Sequence, residues 1–129
     1  MAHRAYRCKS GRARESGQIG TTVDARVAVH VVRALIAGSP LYLGPEVWRD
    51  GVCSRKSDVW SLGCVVYELM THLPPFEAPE LAYKVLTVEP RPLPSCYNEE
   101  LRGLVTGRML RKEASGRPSA EQLMKVRRV

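Results

Sequence analysis

The chain has 129 residues, which is enough for one compact domain but too few for a large enzyme of two lobes. Its 44% hydrophobic and 26% charged residues exclude a wholly disordered chain, and its 6% aromatic content predicts an aliphatic core. Most of the net charge of +7 comes from residues 1–37, which contain seven basic and two acidic side chains. The rest of the chain therefore has the mixed surface of an ordinary globular domain.

The cysteines and the apolar runs exclude further classes of protein. None of the four cysteines belongs to a C-x-x-C pair, so a structural zinc site is not expected. Met1 is followed by basic residues rather than by an apolar stretch, which predicts no secretory signal and therefore reduced thiols. No apolar run approaches the roughly 18 residues that a membrane-spanning helix requires, so we expect a soluble, cytoplasmic protein.

The first half of the chain divides into segments of different composition. Residues 1–16 are rich in Arg, Ser and Gly without periodicity, which predicts a flexible segment. The β-branched run Val23–Leu35 favours one or two strands, and the glycines and prolines of residues 38–45 predict a loop. A helix is predicted from Ser57, which would cap its first turn, to Met70. Because this helix is apolar nearly all round, we expect it to be buried at the centre of the domain.

Three shorter helices are predicted after the central one. A proline pair ends the central helix, and Ala78–Leu86 forms a short helix candidate. Asn98 is a good N-cap for apolar residues at helical spacing, and Ser119 with Gln122 forms a capping box for a last helix. The chain from Ser57 onward is therefore predicted to be all-helical, and the fold class mainly α.

Three separated motifs occur in a fixed order. They are Gly38-Ser39-Pro40-Leu41-Tyr42 with Pro45-Glu46, then Ser57-Asp58-Val59-Trp60-Ser61-Leu62-Gly63, then Gly116-Arg117-Pro118-Ser119. Together they resemble the C-terminal lobe of a eukaryotic serine/threonine protein kinase, from the end of the activation segment to the last helix. The run Lys56–Leu69 and the turn Pro75-Phe76-Glu77-Ala78 are most similar to the NIMA-related group. The resemblance implies a C-lobe over residues 35–127, an absent N-lobe, and a basic, unrelated or flexible segment over residues 1–34.

The resemblance also implies roles for single residues at the substrate side. Gly38, Ser39 and Pro40, with Tyr42, look like the loop that receives the substrate residue after the phosphorylated position; the alternative is a simple polar turn. Mild departures from the family pattern are Gly44 in place of the usual Ala, and Glu113-Ala114 in place of Asp-Pro.

A second set of residues is implied to be structural. Glu46 would pair with Arg117, because a planar guanidinium can hold a carboxylate with two parallel bonds; otherwise the two are unrelated surface charges. Asp58 would anchor the catalytic loop through backbone N–H groups, or is a first-turn acid favoured by the helix dipole. Trp60 and Gly63 complete the structural set.

The residues that carry out phosphoryl transfer in kinases are not recognisable. No Gly-rich loop, strand lysine, His-Arg-Asp or Asp-Phe-Gly motif is found, and extending the alignment upstream places Ala28 and Ser10 where the family has carboxylates. Either this is the decayed catalytic loop of a pseudokinase, or residues 1–34 are unrelated sequence joined to a C-lobe; the composition favours the second. Both predict a chain without catalysis and without cofactor, whereas the complete family domain uses Mg-ATP.

Three classes of function stay open. The chain is an inactive part of a serine/threonine kinase, or a C-lobe kept as an interaction module that docks through the helix from Ala78 and the loop at Ser39, or a nucleic-acid binder through its basic N-terminus. The last is weakest, since aromatic residues are not interleaved with the basic ones. We expect a protein partner or protein substrate, no membrane, and self-association through uncovered apolar surface; the resemblance adds the cytoskeleton or the nucleus to the expected locations.

Overall fold

The computed structural model describes residues 40–126, and this range contains helices and turns without a strand. The mainly α class predicted from the sequence is confirmed. The predicted strands of Val23–Leu35 and the predicted flexible segment of residues 1–16 lie outside the described residues.

Five α-helices follow one another along the described range. They are α1 (Pro45–Asp50), α2 (Arg55–Thr71), α3 (Leu81–Thr87), α4 (Glu99–Arg102) and α5 (Ala120–Met124). A 3-10 turn at Pro40–Tyr42 precedes α1, a π-helical segment at Gly103–Met109 continues α4, and a second 3-10 turn at Ala114–Gly116 leads towards α5. The long helix α2 is central, since the first 3-10 turn, the π-helical segment and the second 3-10 turn all pack on it.

Helix α2 begins earlier than predicted. Ser54, not Ser57, is the N-cap: its hydroxyl accepts a hydrogen bond from the Lys56 N–H at 3.2 Å. The Ser57 hydroxyl reaches back and accepts from the Ser54 N–H at 3.0 Å, which makes a reciprocal capping box with serine in the place of the usual Glu or Gln. The helix ends at Thr71 because His72 adopts a left-handed conformation, ahead of the proline pair.

The remaining helices follow the predictions with two corrections. Asn98 caps α4 and the Ser119–Gln122 capping box opens α5, as predicted. Helix α3 starts at Leu81 rather than at Ala78, because Glu80 takes a φ of 58° and cannot continue a right-handed helix. The expected regular helix after α4 widens into π-helical turns, in which the Leu110 N–H donates to the carbonyl of Val105, five residues back.

The core forms on one face of α2. Trp60 and Cys64 are fully buried there, and the Trp60 ring stacks on Phe76 at 5.9 Å between centroids. Gly63 lies on this face as well, where a Cβ would come within 2.9 Å of the Leu110 side chain, so the absent side chain lets the π-helical segment approach. The opposite face is not buried: Leu62 is 48% exposed. The expectation of a helix buried all round is therefore wrong for the described residues.

Two other expectations concern the membrane and the cysteines. Between residues 40 and 126, no helix combines the length and hydropathy needed to cross a bilayer. Cys53 and Cys64 carry free thiols, but Cys96 is disulfide-bonded, so the prediction of reduced thiols does not hold for it.

Candidate functional site

The candidate substrate loop is only partly within the described residues. Gly38 and Ser39 lie outside them, and Pro40 is the exposed first residue of the range. Tyr42, two residues on, is 3% exposed, and its hydroxyl donates a short hydrogen bond to the buried carboxylate of Glu68 in α2. The main-chain carbonyl of Tyr42 also accepts from the Ser61 hydroxyl at 2.7 Å. Tyr42 therefore fixes the end of the loop to the central helix.

The surroundings of Tyr42 keep its hydroxyl protonated. Burial raises the pKa of the Tyr42 phenol well above its usual 10.0, and the hydrogen bond and negative charge of Glu68 raise it further. A protonated phenol is the donor that Glu68 needs, because a buried carboxylate without hydrogen bonds is costly. This pair is a structural link of the loop and not a free catalytic carboxylate.

The predicted ion pair between Glu46 and Arg117 is present and bidentate. Arg117 Nη1 donates to Glu46 Oε1 and Nη2 to Oε2, both at 2.8 Å, across 71 residues of sequence. The Arg117 side chain is 0% exposed and that of Glu46 11%. The alternative of two unrelated surface charges is excluded. The pair joins the first turn of α1 to the segment before α5.

Further hydrogen bonds hold both the carboxylate of Glu46 and the guanidinium of Arg117. The Ser57 hydroxyl donates to Glu46 Oε1 at 2.7 Å, and Arg117 donates to the main-chain carbonyls of Lys56, Arg111 and Lys112. Burial by itself would raise the pKa of the Glu46 carboxyl, but the hydrogen bonds from Arg117 and Ser57 outweigh it and lower the pKa from 4.5 to about 2. The carboxylate is thus ionised and fully engaged at neutral pH.

Trp60 joins the ion pair to the core. The guanidinium carbon of Arg117 lies 5.0 Å from the centroid of the Trp60 ring. Lys56, one turn before Trp60 in α2, returns a short hydrogen bond from its ammonium to the Arg117 carbonyl. The residues Glu46, Trp60 and Arg117 thereby form one connected unit, with Gly63 one turn further along α2. The sequence predicted the pair of Glu46 with Arg117, but not the contact with Trp60.

Lys112 belongs to the same unit, although nothing in the local sequence pattern singles it out. Its ammonium lies 4.3 Å from the ring centroid of Phe76 and 5.3 Å from that of Trp60, and it donates to the carbonyl of Val88 at 2.6 Å. Burial lowers the pKa of Lys112 to about 8, against the opposing charge of Glu89. Only the fold brings a residue from before α5 to the end of α3.

Asp58 stands apart from these buried groups. It lies exposed in the first turn of α2, where the helix dipole favours an acid. Within residues 40–126 the two buried carboxylates are those of Glu46 and Glu68, and both are held by the bonds described above. The described residues therefore contain a rigid structural frame next to the candidate substrate loop.

An open groove lies between Trp48 of α1 and the start of α3. It has a volume of about 670 Å³ and is lined by Trp48 of α1 and by Glu80, Leu81, Ala82 and Tyr83 at the start of α3. Tyr83 is 61% exposed, which is high for an aromatic side chain in a domain of this kind. The groove lies on the helix from which docking was predicted.

The sequence matches the protein kinase domain family over residues 22–127, starting ahead of residue 35, where the C-lobe was expected to begin. It is 42% identical over 90 residues to the serine/threonine-protein kinase Nek3 of Mus musculus and 41% over 90 residues to Nek2 of Homo sapiens. It is 32% identical over 120 residues to Nek5 of Mus musculus.

These alignments cover 67%, 67% and 91% of this chain but only 17%, 20% and 19% of the relatives. The chain therefore spans about a fifth of the length of the curated relatives it matches. The match includes every residue that the structure describes, and with them the loop at Pro40, the ion pair and all five helices. The chain belongs to the protein kinase family, as a mainly helical fragment of the kinase domain whose curated relatives include Nek kinases.

Proposed function

We propose that these 129 residues are a NIMA-related serine/threonine kinase C-lobe, of the pseudokinase type, that transfers no phosphate by itself. The observation that carries the proposal is a difference between two sets of carboxylates. The structural carboxylate Glu46 is present and paired, whereas extending the family register upstream of Pro40 would put Ala28 and Ser10 in the places of the carboxylates of the family's metal site and catalytic loop.

The chemistry explains why this difference matters. Phosphoryl transfer needs one carboxylate to hold magnesium beside the phosphates and another to orient the attacking hydroxyl. We assign neither role to Glu46 or Glu68, because Arg117 and Ser57 already bond both oxygens of Glu46, and Tyr42 bonds Oε2 of the buried Glu68. No cofactor is therefore assigned to this chain, and Mg-ATP belongs to the complete family domain.

The loop before α1 supports the substrate part of the proposal. Gly38, Ser39 and Pro40 would receive a protein substrate's residue after the phosphorylated position, with Tyr42 holding the loop onto α2. The bond from Ser61 to the Tyr42 carbonyl would keep that loop in place. By family resemblance, we place the protein in the cytoplasm, with association to the cytoskeleton or nucleus.

The test is an assay of the purified chain for phosphate transfer from Mg-ATP to casein-like protein and to itself. We expect transfer no greater than that of a tag-only preparation, and no ATP-induced shift of the thermal transition at millimolar ATP. The variants Asp58→Asn and Ser39→Ala identify the source of any transfer, because a contaminating kinase would not be affected by either change. Transfer that Asp58→Asn or Ser39→Ala abolishes would show that the chain is an active enzyme.

A second candidate function, an interaction module, is supported by the groove between α1 and α3. Trp48, Leu81 and Tyr83 form an apolar surface there, and Glu80 adds an acid at its edge. Such a surface suits a peptide with an apolar side chain next to a basic one. This function needs no phosphate transfer and is compatible with the absence of the catalytic residues.

A peptide-display selection against the immobilised chain would test this second function. We expect enriched peptides to combine an apolar and a basic residue and to lose binding to Tyr83→Glu. Met124→Glu is the control, since Met124 is 87% exposed but lies on α5, away from the groove. Enriched peptides that bind both variants equally would remove the groove from consideration.

A further inference from the structure

The half-buried amine of Lys112 is held without an acidic partner. Both ion pairs found between residues 40 and 126 are made by other side chains. The Lys112 ammonium instead donates to main-chain carbonyls at the end of α3, to that of Val88 at 2.6 Å and to that of Lys84 at 3.4 Å. A lysine that is withdrawn from water usually has a carboxylate beside it, so an ion pair does not explain this position.

Two aromatic rings of the core fix the other side of this amine. The Lys112 Nζ atom lies 4.3 Å from the ring centroid of Phe76 and 5.3 Å from that of Trp60, and both rings are buried. A surface lysine samples many rotamers of its four-carbon stem, whereas this one is held between two rings and two carbonyls. The nitrogen is therefore positioned by the fold before any reaction.

An open cavity gives a small molecule access to this part of the chain. The cavity has a volume of about 510 Å³, and Lys112 lines it together with Glu89, Gly107 and Ser115. Gly107 leaves space there, since a Cβ at this residue would meet nothing within 4 Å. Val88, whose carbonyl holds the ammonium, is 41% exposed, so the amine lies close to the surface.

The charges around Lys112 favour its neutral form more than water does. Burial lowers the pKa of Lys112 to about 8, and the positive charge of Arg117 acts in the same direction. Glu89 opposes this shift, and a thiolate at Cys64 would oppose it too, but burial raises the pKa of the Cys64 thiol and keeps it neutral. At about pH 7.5 roughly a quarter of the amine is therefore the neutral, nucleophilic form.

We propose that Lys112 is an acceptor site for acyl groups carried as thioesters. The lone pair of Nζ attacks the thioester carbonyl carbon, the carbon–sulfur bond breaks with its electron pair on sulfur, and the proton lost by nitrogen is taken up by the thiolate. The products are an amide at Lys112 and a free thiol. The amide nitrogen is uncharged and has one N–H in place of three, so acylation weakens the link from the end of α3 to the two rings.

Site-resolved acetylation of the full chain tests the proposal. The probe is the small thioester S-acetyl-N-acetylcysteamine at about pH 7.5, and peptide mass spectrometry follows the acetylation of each lysine. We expect the initial rate at Lys112 to be about tenfold above that at Lys125, the exposed residue that ends α5. In denaturing urea the two rates should become similar, because the fold creates the environment of Lys112. Equal rates in the native chain, or a difference that persists in urea, would overturn the proposal.

A charge variant tests whether the surroundings of Lys112 set its reactivity. Glu89→Gln removes the acid that favours the ammonium form, so we expect Lys112 to be acetylated about twofold faster at about pH 7.5. Glu99→Gln is the matched control, since Glu99 is an exposed acid on α4 and should leave the rate unchanged. An unchanged or slower rate in Glu89→Gln, or the same change in both variants, would contradict the assignment.

Hydrogen exchange measures the structural consequence of the reaction. Lys112→Gln imitates the acetylated side chain, and we expect the Val88 amide, which donates to the Lys84 carbonyl at the end of α3, to exchange about fivefold faster in this variant. Lys125→Gln is the control and should leave that amide unchanged. Equal exchange in both variants would show that acylation at Lys112 does not loosen α3. None of these measurements uses phosphate transfer, so their outcome is independent of the proposed function.

Discussion

The two faces of α2 carry similar apolar side chains but differ in what packs on them. On one face, Trp60, Cys64 and Tyr67 are almost inaccessible and are covered by Phe76, the π-helical segment and the Arg117 side chain. On the other face, Leu62 is half exposed, although it stands in the same helix within two residues of Trp60 and Cys64. Composition alone therefore does not decide burial; the partners that the rest of the chain supplies do.

The charged groups follow the same division. On the covered face, the guanidinium of Arg117 is bonded by Glu46 and by three main-chain carbonyls, as a buried charge requires. On the open face, Asp58 is exposed to solvent at the first turn. The covered face therefore holds a charge that is already paired, whereas the charge on the open face is exposed to solvent. The loss of stability caused by a substitution should thus differ between the two faces.

The largest effect is expected at the ion pair of the covered face. Arg117→Met or Glu46→Gln alone should cost roughly 3–5 kcal/mol of unfolding free energy, because each leaves a buried charge without its partner. The double variant should cost much less than the sum, since no charge is then stranded. Chemical denaturation of the four proteins measures this coupling. Additive losses below 1 kcal/mol would mean that the pair behaves as a surface contact.

Acid should weaken the covered face through the same carboxylate. The pKa of Glu46 is lowered from 4.5 to about 2, so the unfolded chain binds the proton more tightly than the folded one. Its contribution is then fully present above about pH 4.5 and is lost as the pH falls towards 2, by about 3 kcal/mol in all. Urea midpoints measured from pH 6 to pH 2 should show this loss. Glu46→Gln should flatten that part of the profile, whereas Glu121→Gln on α5 should not.

The contact between α2 and the π-helical segment gives the next smaller effect. Gly63→Ala places a methyl group where a Cβ would lie 2.9 Å from Leu110 and 3.1 Å from the Cβ of Met109, both buried. Because these buried side chains leave little room for the methyl group, we expect the free energy of unfolding to fall by about 1–3 kcal/mol. Gly107→Ala is the control, since nothing lies within 4 Å of its added Cβ. Equal thermal shifts for the two variants would show that close approach at Gly63 is unimportant.

Local signals in the sequence predicted several of these features. Capping residues such as Asn98 and Ser119 act within one helical turn, so they can be recognised from spacing alone. The Glu46–Arg117 pair was predicted across 71 residues because the two motifs resemble a kinase lobe, not because any local pattern relates them. The family resemblance thus supplied the long-range part of the prediction.

Features that depend on tertiary packing could not be predicted in this way. Lys112 reaches the rings of Trp60 and Phe76 only because the segment before α5 folds back over α2. The π-helical turns after Gly103 and the left-handed Glu80 are likewise set by how the helices meet, and the amphipathic spacing does not encode them. Leu62 was not singled out as an exposed residue for the same reason: the composition of an apolar helix does not show which of its faces lacks a partner.

The smallest effect is expected on the open face. Leu62→Gln should cost about 1 kcal/mol, well below the 2–5 kcal/mol typical of truncating a leucine in a core, because almost half of the side chain is accessible before the change. Urea denaturation measures this cost, and Met124→Gln on α5 is a control that should change the midpoint by less still. A loss of 3 kcal/mol or more at Leu62 would mean that its side chain is fully covered in solution and that the two faces of α2 are equivalent. No change in the midpoint would instead mean that the contacts of Leu62 with its neighbours contribute nothing to the stability of the folded state.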